Sequence, residues 1–290
     1  MKTFKILAVI FTVLAAAFLA LHIFFSPKTE TASFEYRDMP YNLVTWRLSD
    51  HEGNNPVMYY CLLEEADNEN MTFTILQDWS ETGQVYPLEI KLKANLKQGM
   101  LESFSMKNIV DVESGLTSDI YWNSDFSTNR LTLTYYRNNN RDGREEPGFN
   151  VWRIREKPTW VSATVFLADM VVLLPYINTE TSIFTASFFN MNNYTKLVFR
   201  RNAAADSSGR LSITYKFSPY GIFGIFSSLG GEFTLINNGS FIELKQLSTT
   251  ESAVGAWRDL LITVLDHRTI TAESFGRIRE TLTKGEKVNL

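Results

Sequence analysis

Alternation of apolar and polar positions with a period of two dominates the chain between residues 43 and 249. The segment LEIKLK, residues 88–93, shows it clearly, because leucine and isoleucine alternate with glutamate and lysine. RLSITYKF, residues 210–217, follows the same pattern. Side chains of a β-strand point alternately to opposite faces, so this period predicts strands with one buried face. The body is therefore predicted to be mainly β, in the α+β sense, with antiparallel strands joined by short turns.

Clusters of Gly, Pro, Asn and Asp separate the predicted strands. Asn238-Gly239 lies between two apolar runs, which makes it the strongest hairpin signal in the chain. The polar stretch Asn138–Gly148 contains a proline and two glycines and predicts a long exposed hairpin loop.

The pattern changes in the middle of the chain, where Val161–Ile177 is apolar on nearly every side. We predict one apolar helix near residues 160–177, ending at Pro175, and buried against the sheet or inside a barrel. Asp169 is the only charge in this segment. A lone buried acid must be paired or protonated, so Asp169 either bonds the helix to the sheet or faces a cavity.

The period becomes helical near the C-terminus, and residues 250–290 are predicted to form a helical pair. The apolar positions of the pair are Val254, Trp257, Leu261 and Val264 in the first helix and Phe275, Ile278 and Leu282 in the second. Thr271 is the predicted N-cap of the second helix, and Gly285 is predicted to end it.

Ile6–Phe25 is an apolar run preceded by Lys2 and Lys5. A helix of this length spans ~30 Å, the thickness of the bilayer hydrocarbon. Sites for signal cleavage after this run are poor, so residues 1–27 are predicted to be an uncleaved signal-anchor. The lysines place the N-terminus inside, which puts a β-rich domain over residues 33–249 outside the cytoplasmic membrane, in the periplasm or extracytoplasmic space. If the run were cleaved, the protein would be secreted.

Composition limits the possible functions. The net charge is −4, so the basic surplus of a nucleic-acid-binding protein is missing. The chain contains one cysteine, Cys61, which cannot form an internal disulfide, so the fold must rest on packing. The 44% hydrophobic content is ample for a large core.

Catalytic and metal-binding motifs are not recognisable in the sequence, and no cofactor or metal is expected. His51 and His267 are predicted to be surface residues. The glycine-rich apolar stretch Pro219–Gly231 is either a mobile lip over a pocket or a bulged strand in the core. Residues of this stretch and of the mid-chain helix are the candidate ligand-binding side chains: Asp169, Phe166, Tyr220, Phe223 and Phe226.

Two resemblances add to this interpretation. Strands, a central helix and further strands behind an export signal resemble the half-barrels of periplasmic lipoprotein carriers, which implies a curved sheet around a helix with an apolar cavity. About 25 C-terminal residues resemble a short helical-pair motif of bacterial proteins, which implies a docking or oligomerising element within residues 251–284. The matching positions are Leu261, Leu265, Ile270, Thr271, Phe275, Arg279 and Leu282.

The expected function is that of a non-enzymatic, membrane-anchored envelope protein that binds a lipid-like apolar ligand or a partner segment. A carboxylate-dependent enzyme acting on a glycan or an apolar substrate is the first alternative. A structural protein that docks or self-associates through its C-terminal helices is the second.

Overall fold

The computed structural model describes most of the body and part of the N-terminal run. The described residues are 10–17, 19–20, 30–54, 56–67, 69–78, 88–96, 100–108, 118–127, 130–139, 144–153, 160–162, 168–190, 193–205, 211–220, 230–249 and 260–288.

Within these ranges, all 16 strands belong to one sheet. The strands are β1 (Glu30–Thr31), β2 (Leu43–Asp50), β3 (Val57–Ala66), β4 (Asn70–Asp78), β5 (Leu88–Asn95), β6 (Met100–Asn108), β7 (Ser118–Ser127), β8 (Arg130–Asn139), β9 (Arg144–Arg153), β10 (Trp160–Ser162), β11 (Ile183–Asn190), β12 (Asn193–Ala205), β13 (Leu211–Pro219), β14 (Gly231–Asn237), β15 (Ile242–Thr249) and β16 (Leu260–Arg268). The prediction of a mainly β, antiparallel architecture is confirmed, apart from parallel pairs that β1 and β10 form with β11.

The sheet consists of two meanders that are joined by one long-range pairing. Strands β2 to β9 follow one another in sequence order, and so do β11 to β16. β16 then pairs antiparallel with β2, which brings the end of the chain beside its beginning. No ladder within the described residues joins β9 back to β1, so the sheet is open.

The sheet curls on itself. β10 is hydrogen-bonded to β11 and also lies beside β6. Nine other strands separate β11 from β6 along the sheet. In a flat sheet those two strands would be roughly 48 Å apart, at ~4.8 Å per strand. Their shared neighbour therefore requires the intervening strands to bend round a common interior.

A short helical segment occupies this interior. Helix α1 covers Ala168–Leu173, and a single 3-10 turn, Leu174–Tyr176, follows it. Val171, Leu174 and Tyr176 are buried in the same apolar cluster as side chains from both meanders. This cluster is the main core of the described part of the chain.

The predicted helix near residues 160–177 is partly wrong. The chain begins this region as strand β10, and helix is described only from Ala168 onward. Trp160, Val161 and Ser162 are compatible with a strand, and pairing with β11 gives their backbone groups hydrogen-bond partners on one side. Proline at position 175 fits the tight 3-10 turn at which the helix ends.

The predicted C-terminal helical pair, residues 250–290, is also wrong in its first member. Residues 260–268 form strand β16, because the gap between β15 and β2 offers hydrogen-bond partners on both sides. Leu260 and Ile262 alternate into the core, and the β-branched residues of this segment favour the strand. The other residues on which the helical period rested, Val254 and Trp257, lie outside the described residues.

The second helix of the predicted pair is confirmed. Helix α2 covers Ala272–Thr283, the hydroxyl of Thr271 accepts a hydrogen bond from the amide of Ser274, and Gly285 ends the helix with a φ of 70°. Its apolar stripe, Phe275, Ile278 and Leu282, packs on the outer face of the sheet against Leu43, Tyr60, Leu62 and Leu76. Strands β2 to β4 are therefore covered on both faces.

The N-terminal run is described only in part. Residues 10–17 and 19–20 are helical, and Ile10, Phe11 and Leu14 are exposed there. Within the described residues, no helix reaches the combination of length and hydropathy that crossing a membrane requires. The rest of Ile6–Phe25 lies outside the described residues, so the signal-anchor stays a prediction.

Close packing at Gly231 makes this position a test of the strand register. A Cβ atom there would lie 2.1 Å from the carbonyl oxygen of Ser248 and 2.4 Å from Cζ of Phe217. We expect Gly231→Ala to lower the free energy of unfolding by roughly 1–3 kcal/mol, measured by urea denaturation, because the β15 backbone cannot move without breaking its ladder.

Gly276 is the matched control for this substitution. It lies on helix α2, and an added Cβ would meet nothing within 4 Å. Gly276→Ala should raise the free energy of unfolding by about 0.5–1 kcal/mol, since alanine has the higher helix propensity. Equal effects of the two substitutions would contradict the register of β13, β14 and β15.

Candidate binding pocket

The described residues enclose a pocket between the helical segment and the inner face of the sheet. Its lining comes from the segment before β2, from β2, β3, β4, β15 and β16, and from α1 with the 3-10 turn. The lining residues are Met39, Tyr41, Asn42, Val44, Cys61, Leu63, Phe73, Val171, Val172, Pro175, Tyr176, Leu244, Val264 and His267.

The walls and the rim of the pocket differ in character. Cys61, Phe73 and Leu244 form walls that are buried and apolar. Tyr41 and His267 are only half-buried and carry the polar groups of the rim. The cavity measures about 30 Å³. Since one water needs ~10–15 Å³ in this measure, the space admits two waters or the tip of an apolar chain.

A β-bulge determines which side chain of β16 faces the pocket. The register against β2 shifts between Val264 and Asp266, so that Leu265 is the extra residue and is exposed. Val264 lies opposite Trp46 and His267 lies opposite Val44. In an unbroken strand, residues two apart share a face, and Asp266 would have faced inward. The bulge therefore exchanges a carboxylate for an imidazole in the lining.

His267 is the centre of a small cluster at the rim. Its ring centroid is 4.5 Å from that of Tyr41, and its Nδ1 is 3.8 Å from Oε2 of Glu243. Burial lowers the pKa of His267, although the nearby carboxylates of Glu243 and Asp266 oppose the shift. Asp266 is itself paired with Arg268. The neutral imidazole is therefore the favoured form near neutral pH.

The other titratable groups of the pocket are held in their neutral forms. Burial raises the pKa of the Cys61 thiol well above its usual range. Burial likewise raises the pKa of both Tyr41 and Tyr176. A protonated, fully buried thiol is a poor nucleophile, so the described lining supplies hydrogen-bonding and apolar surfaces rather than an activated group.

Hydrogen bonds fix the rim to the helical wall. The guanidinium of Arg37 donates to the carbonyl oxygens of Pro175 and Ile177 at 3.2 Å each, and it pairs with Glu35 at 2.8 Å. The side-chain amide of Asn42 exchanges hydrogen bonds of 2.8 and 2.9 Å with the backbone of Ile270. Both the 3-10 turn and the connection from β16 to α2 are thus tied to the segment before β2.

None of the predicted ligand-binding residues is among the described residues that line this pocket. Phe166, Phe223 and Phe226 lie outside the described residues. Asp169 lies in helix α1, where its backbone is described. Tyr220 follows β13, and the ammonium of Lys196 lies 4.8 Å from its ring centroid. None of the five is among the described lining residues, and their role stays a prediction.

Sequence reasoning missed Tyr41 and His267. His267 was expected on the surface between two helices, whereas it is a half-buried strand residue of the pocket. The alternation of Leu260 and Ile262 was the available signal for a strand here. The bulge that turns His267 inward depends on pairing with β2, which no local pattern shows.

Comparison with known proteins found a similar solved structure but no matching family. No protein-family model matches the chain, and no curated protein matches it. The chain is similar to a solved structure described as the crystal structure of a β-barrel-like protein of domain of unknown function DUF1849 from Brucella abortus. The two are 8% identical, the match covers 80% of this chain and 98% of that chain, and the TM-score is 0.42. This degree of similarity carries no conclusion about function.

The predicted resemblance to lipoprotein carriers is supported only in its coarse part. The structure has a mainly β, antiparallel sheet with a helix packed on its inner face. Membership of the carrier family is not shown, and the helical-pair motif fails because its first helix is strand β16.

The lowered pKa of His267 predicts a pH dependence of stability. The unfolded state, with a histidine pKa near 6.5, binds the proton more readily than the folded state. The contribution of His267 to stability is therefore fully present above pH ~6.5 and is lost as the pH falls through the lower folded pKa. Between pH 8 and pH 5, the free energy of unfolding measured by urea denaturation should fall more for the wild type than for His267→Gln.

The comparison uses the difference between the two proteins in this change of the free energy of unfolding, because carboxylates titrate in both proteins over the same pH range. His267→Gln keeps a polar side chain of similar size at the rim. The same change in the free energy of unfolding from pH 8 to pH 5 in both proteins would contradict the neutral, half-buried state of His267.

Proposed function

We propose that the protein is a non-enzymatic binding protein whose curved sheet receives the end of an apolar, lipid-like ligand in this pocket. The observation that carries the proposal is the contrast between buried apolar walls and a half-buried polar rim. Such a contrast suits an amphiphile, because its apolar end leaves water while its polar part stays at the mouth.

The size of the pocket restricts the ligand. A volume of about 30 Å³ takes only the tip of an unbranched chain. Burial of each CH₂ group contributes ~0.8 kcal/mol, so the pocket alone supports weak binding. A longer chain enters only if the segment formed by α1 and the 3-10 turn moves away from β3 and β4.

The lining favours binding over catalysis. Among the lining residues that the structure describes, there is neither Asp nor Glu, and the thiol of Cys61 is protonated. A glycosidase needs two carboxylates facing one substrate. The pocket therefore supports the carboxylate-dependent enzyme less well than it supports a binding protein.

Helix α2 bears on the alternative of an assembly protein. Its apolar stripe is buried against its own sheet, and Nε of Arg279 lies 2.9 Å from Oε2 of the buried Glu89. These contacts favour a role of the helix in closing the outer face of the sheet. Docking or self-association through α2 itself would have to use the opposite side of this helix.

Binding of a short apolar probe tests the proposed function. Saturation-transfer NMR should detect 1-hexene bound to the wild type. Val172→Phe fills the pocket and should weaken binding about 4- to 15-fold, because one or two CH₂ groups of the probe no longer enter. Met39→Trp, at the half-buried rim, repeats the test with a smaller risk to folding.

Leu265→Phe is the control, since it adds bulk at the exposed bulge and outside the pocket. It should bind 1-hexene as the wild type does. The proposal is wrong if the wild type does not bind the probe, or if folded Val172→Phe and Met39→Trp bind it unchanged.

We further propose that residues 6–25 hold the body at the cytoplasmic membrane as a single-pass anchor. The exposed apolar side chains of the described helical residues, such as Phe11 and Leu14, support this proposal. They would remain in water unless a bilayer or a partner covered them.

Membrane fractionation tests the anchor. The full chain should sediment with membranes and be released by detergent but not by alkaline carbonate, whereas residues 28–290 alone should remain in the soluble fraction. The N-terminal sequence of the purified protein reports cleavage. Recovery of the full, uncleaved chain without detergent would contradict the anchor.

A further inference from the structure

Two large polar aromatic side chains face each other in the interior beside the pocket. Trp46 of β2 and Tyr59 of β3 are directly opposite in the register. Their rings stack with centroids 5.1 Å apart and planes inclined by 11°. Both side chains are completely buried in the main core cluster.

Each of these side chains carries a hydrogen-bond donor that is not used within the described part of the chain. Neither Nε1 of Trp46 nor the hydroxyl of Tyr59 has a partner there. Buried Tyr and Trp normally find one, and an unsatisfied buried donor costs ~1–3 kcal/mol. Burial also raises the pKa of Tyr59, so its hydroxyl keeps the proton that it would donate.

These donors lie one layer deeper than the pocket. Val44 and Cys61, which are paired with each other, line it, and Trp46 and Tyr59 follow them inward on the same face. Two residues along a strand correspond to ~7 Å. The fully buried Gln77 lies opposite Tyr59 on β4, so this layer forms a row of polar side chains. Elsewhere the same core uses phenylalanine, for example Phe184 and Phe199.

The charge of the surroundings limits the chemistry of the partner. Among the buried side chains of the described part of the chain, Glu89 is the only charged one. The buried Glu89 belongs to the outer face, where it pairs with Arg279. A carboxylate that entered this layer would lose its hydration without meeting a cation, which is costly. A neutral acceptor oxygen avoids that cost.

We infer that Trp46 and Tyr59 form a hydrogen-bonding subsite for a neutral carbonyl oxygen on the apolar ligand. The ligand is then a neutral ester, ketone, aldehyde or amide on an unbranched chain. This inference rests on the proposed function, because the carbonyl reaches the subsite through the pocket, which requires the movement of α1 and the 3-10 turn away from β3 and β4.

Comparison of two probes of equal chain length tests the subsite. 2-Hexanone carries the carbonyl, and 1-hexene lacks it. Tyr59→Phe removes one donor and keeps the ring, so we expect it to weaken 2-hexanone binding about 3- to 10-fold while 1-hexene binding stays unchanged. Trp46→Phe should act in the same direction.

Two further measurements separate a ligand subsite from a structural hydrogen bond. With 2-hexanone labelled with ¹³C at the carbonyl, the bound resonance should move downfield in the wild type and less so in Tyr59→Phe. Without ligand, Tyr59→Phe should be at least as stable as the wild type, because it removes a buried donor that has no partner.

The outcomes distinguish the two proposals. If 1-hexene binds and Val172→Phe weakens its binding, but 2-hexanone binds equally to the wild type and Tyr59→Phe, the subsite is wrong and the pocket stands. A less stable, ligand-free Tyr59→Phe with unchanged 2-hexanone binding means that an internal water or another protein group uses the donor, and it also overturns the subsite. If neither probe binds the wild type, both proposals fail.

Discussion

The pairing of β16 with β2 is the contact on which the rest of the structure depends. Each meander forms from neighbours in sequence, and local turns suffice to register its strands. The β16–β2 ladder joins strands more than 200 residues apart, so its formation must offset a large loop-closure entropy. In return it produces one continuous sheet, whose inner face buries α1 and whose outer face buries α2. Without this ladder, α1 would not meet strands of both meanders, and α2, which follows β16, would not lie over β2 to β4.

The pocket is a consequence of the same pairing. Its sheet wall combines β15 and β16 from one meander with β2, β3 and β4 from the other, and the bulge at Leu265 exists only in the ladder between β16 and β2. The bulge turns His267 toward Tyr41 and leaves Asp266 to pair with Arg268 outside the lining. A neutral polar rim, rather than an anionic one, follows from one extra residue in one strand. The described lining itself therefore contains no carboxylate, and that of Glu243 lies beside it, 3.8 Å from the imidazole of His267.

Local patterns predicted those features whose causes are local. The turn at Asn238-Gly239 joins β14 and β15 with Gly239 at a φ of 90°, and Thr271 caps α2 as expected.

The wrong predictions concern segments whose conformation depends on pairing with strands that are distant in the sequence. The spacing of apolar residues in 260–268 is helical, yet this segment is a strand because β15 and β2 offer hydrogen-bond partners on both sides. The stretch Asn138–Gly148 was predicted as a loop, but β8 continues to Asn139 and β9 starts at Arg144. Pro147 is tolerated in β9 because β8 is the single partner of this strand among the described residues. The site lay beyond prediction for the same reason, since Tyr41 and His267 meet only through the ladder.

The buried donors of Trp46 and Tyr59 bear on selectivity as well as on stability. Two unsatisfied donors at ~1–3 kcal/mol each are a considerable part of the ~5–15 kcal/mol by which a domain is stable. Phenylalanine at both positions would avoid this cost, and the same core accepts it elsewhere. An all-apolar pocket separates ligands that differ by one methylene only weakly, by ~1–3 kcal/mol, and it accepts any chain of suitable width. Donors that are left unpaired by a pure hydrocarbon discriminate more strongly, because only a ligand with an acceptor oxygen removes their cost. In the proposed subsite, donors without a partner in the described part of the chain therefore lower the stability of the empty fold and raise its preference for a carbonyl-bearing chain over hydrocarbons of the same shape.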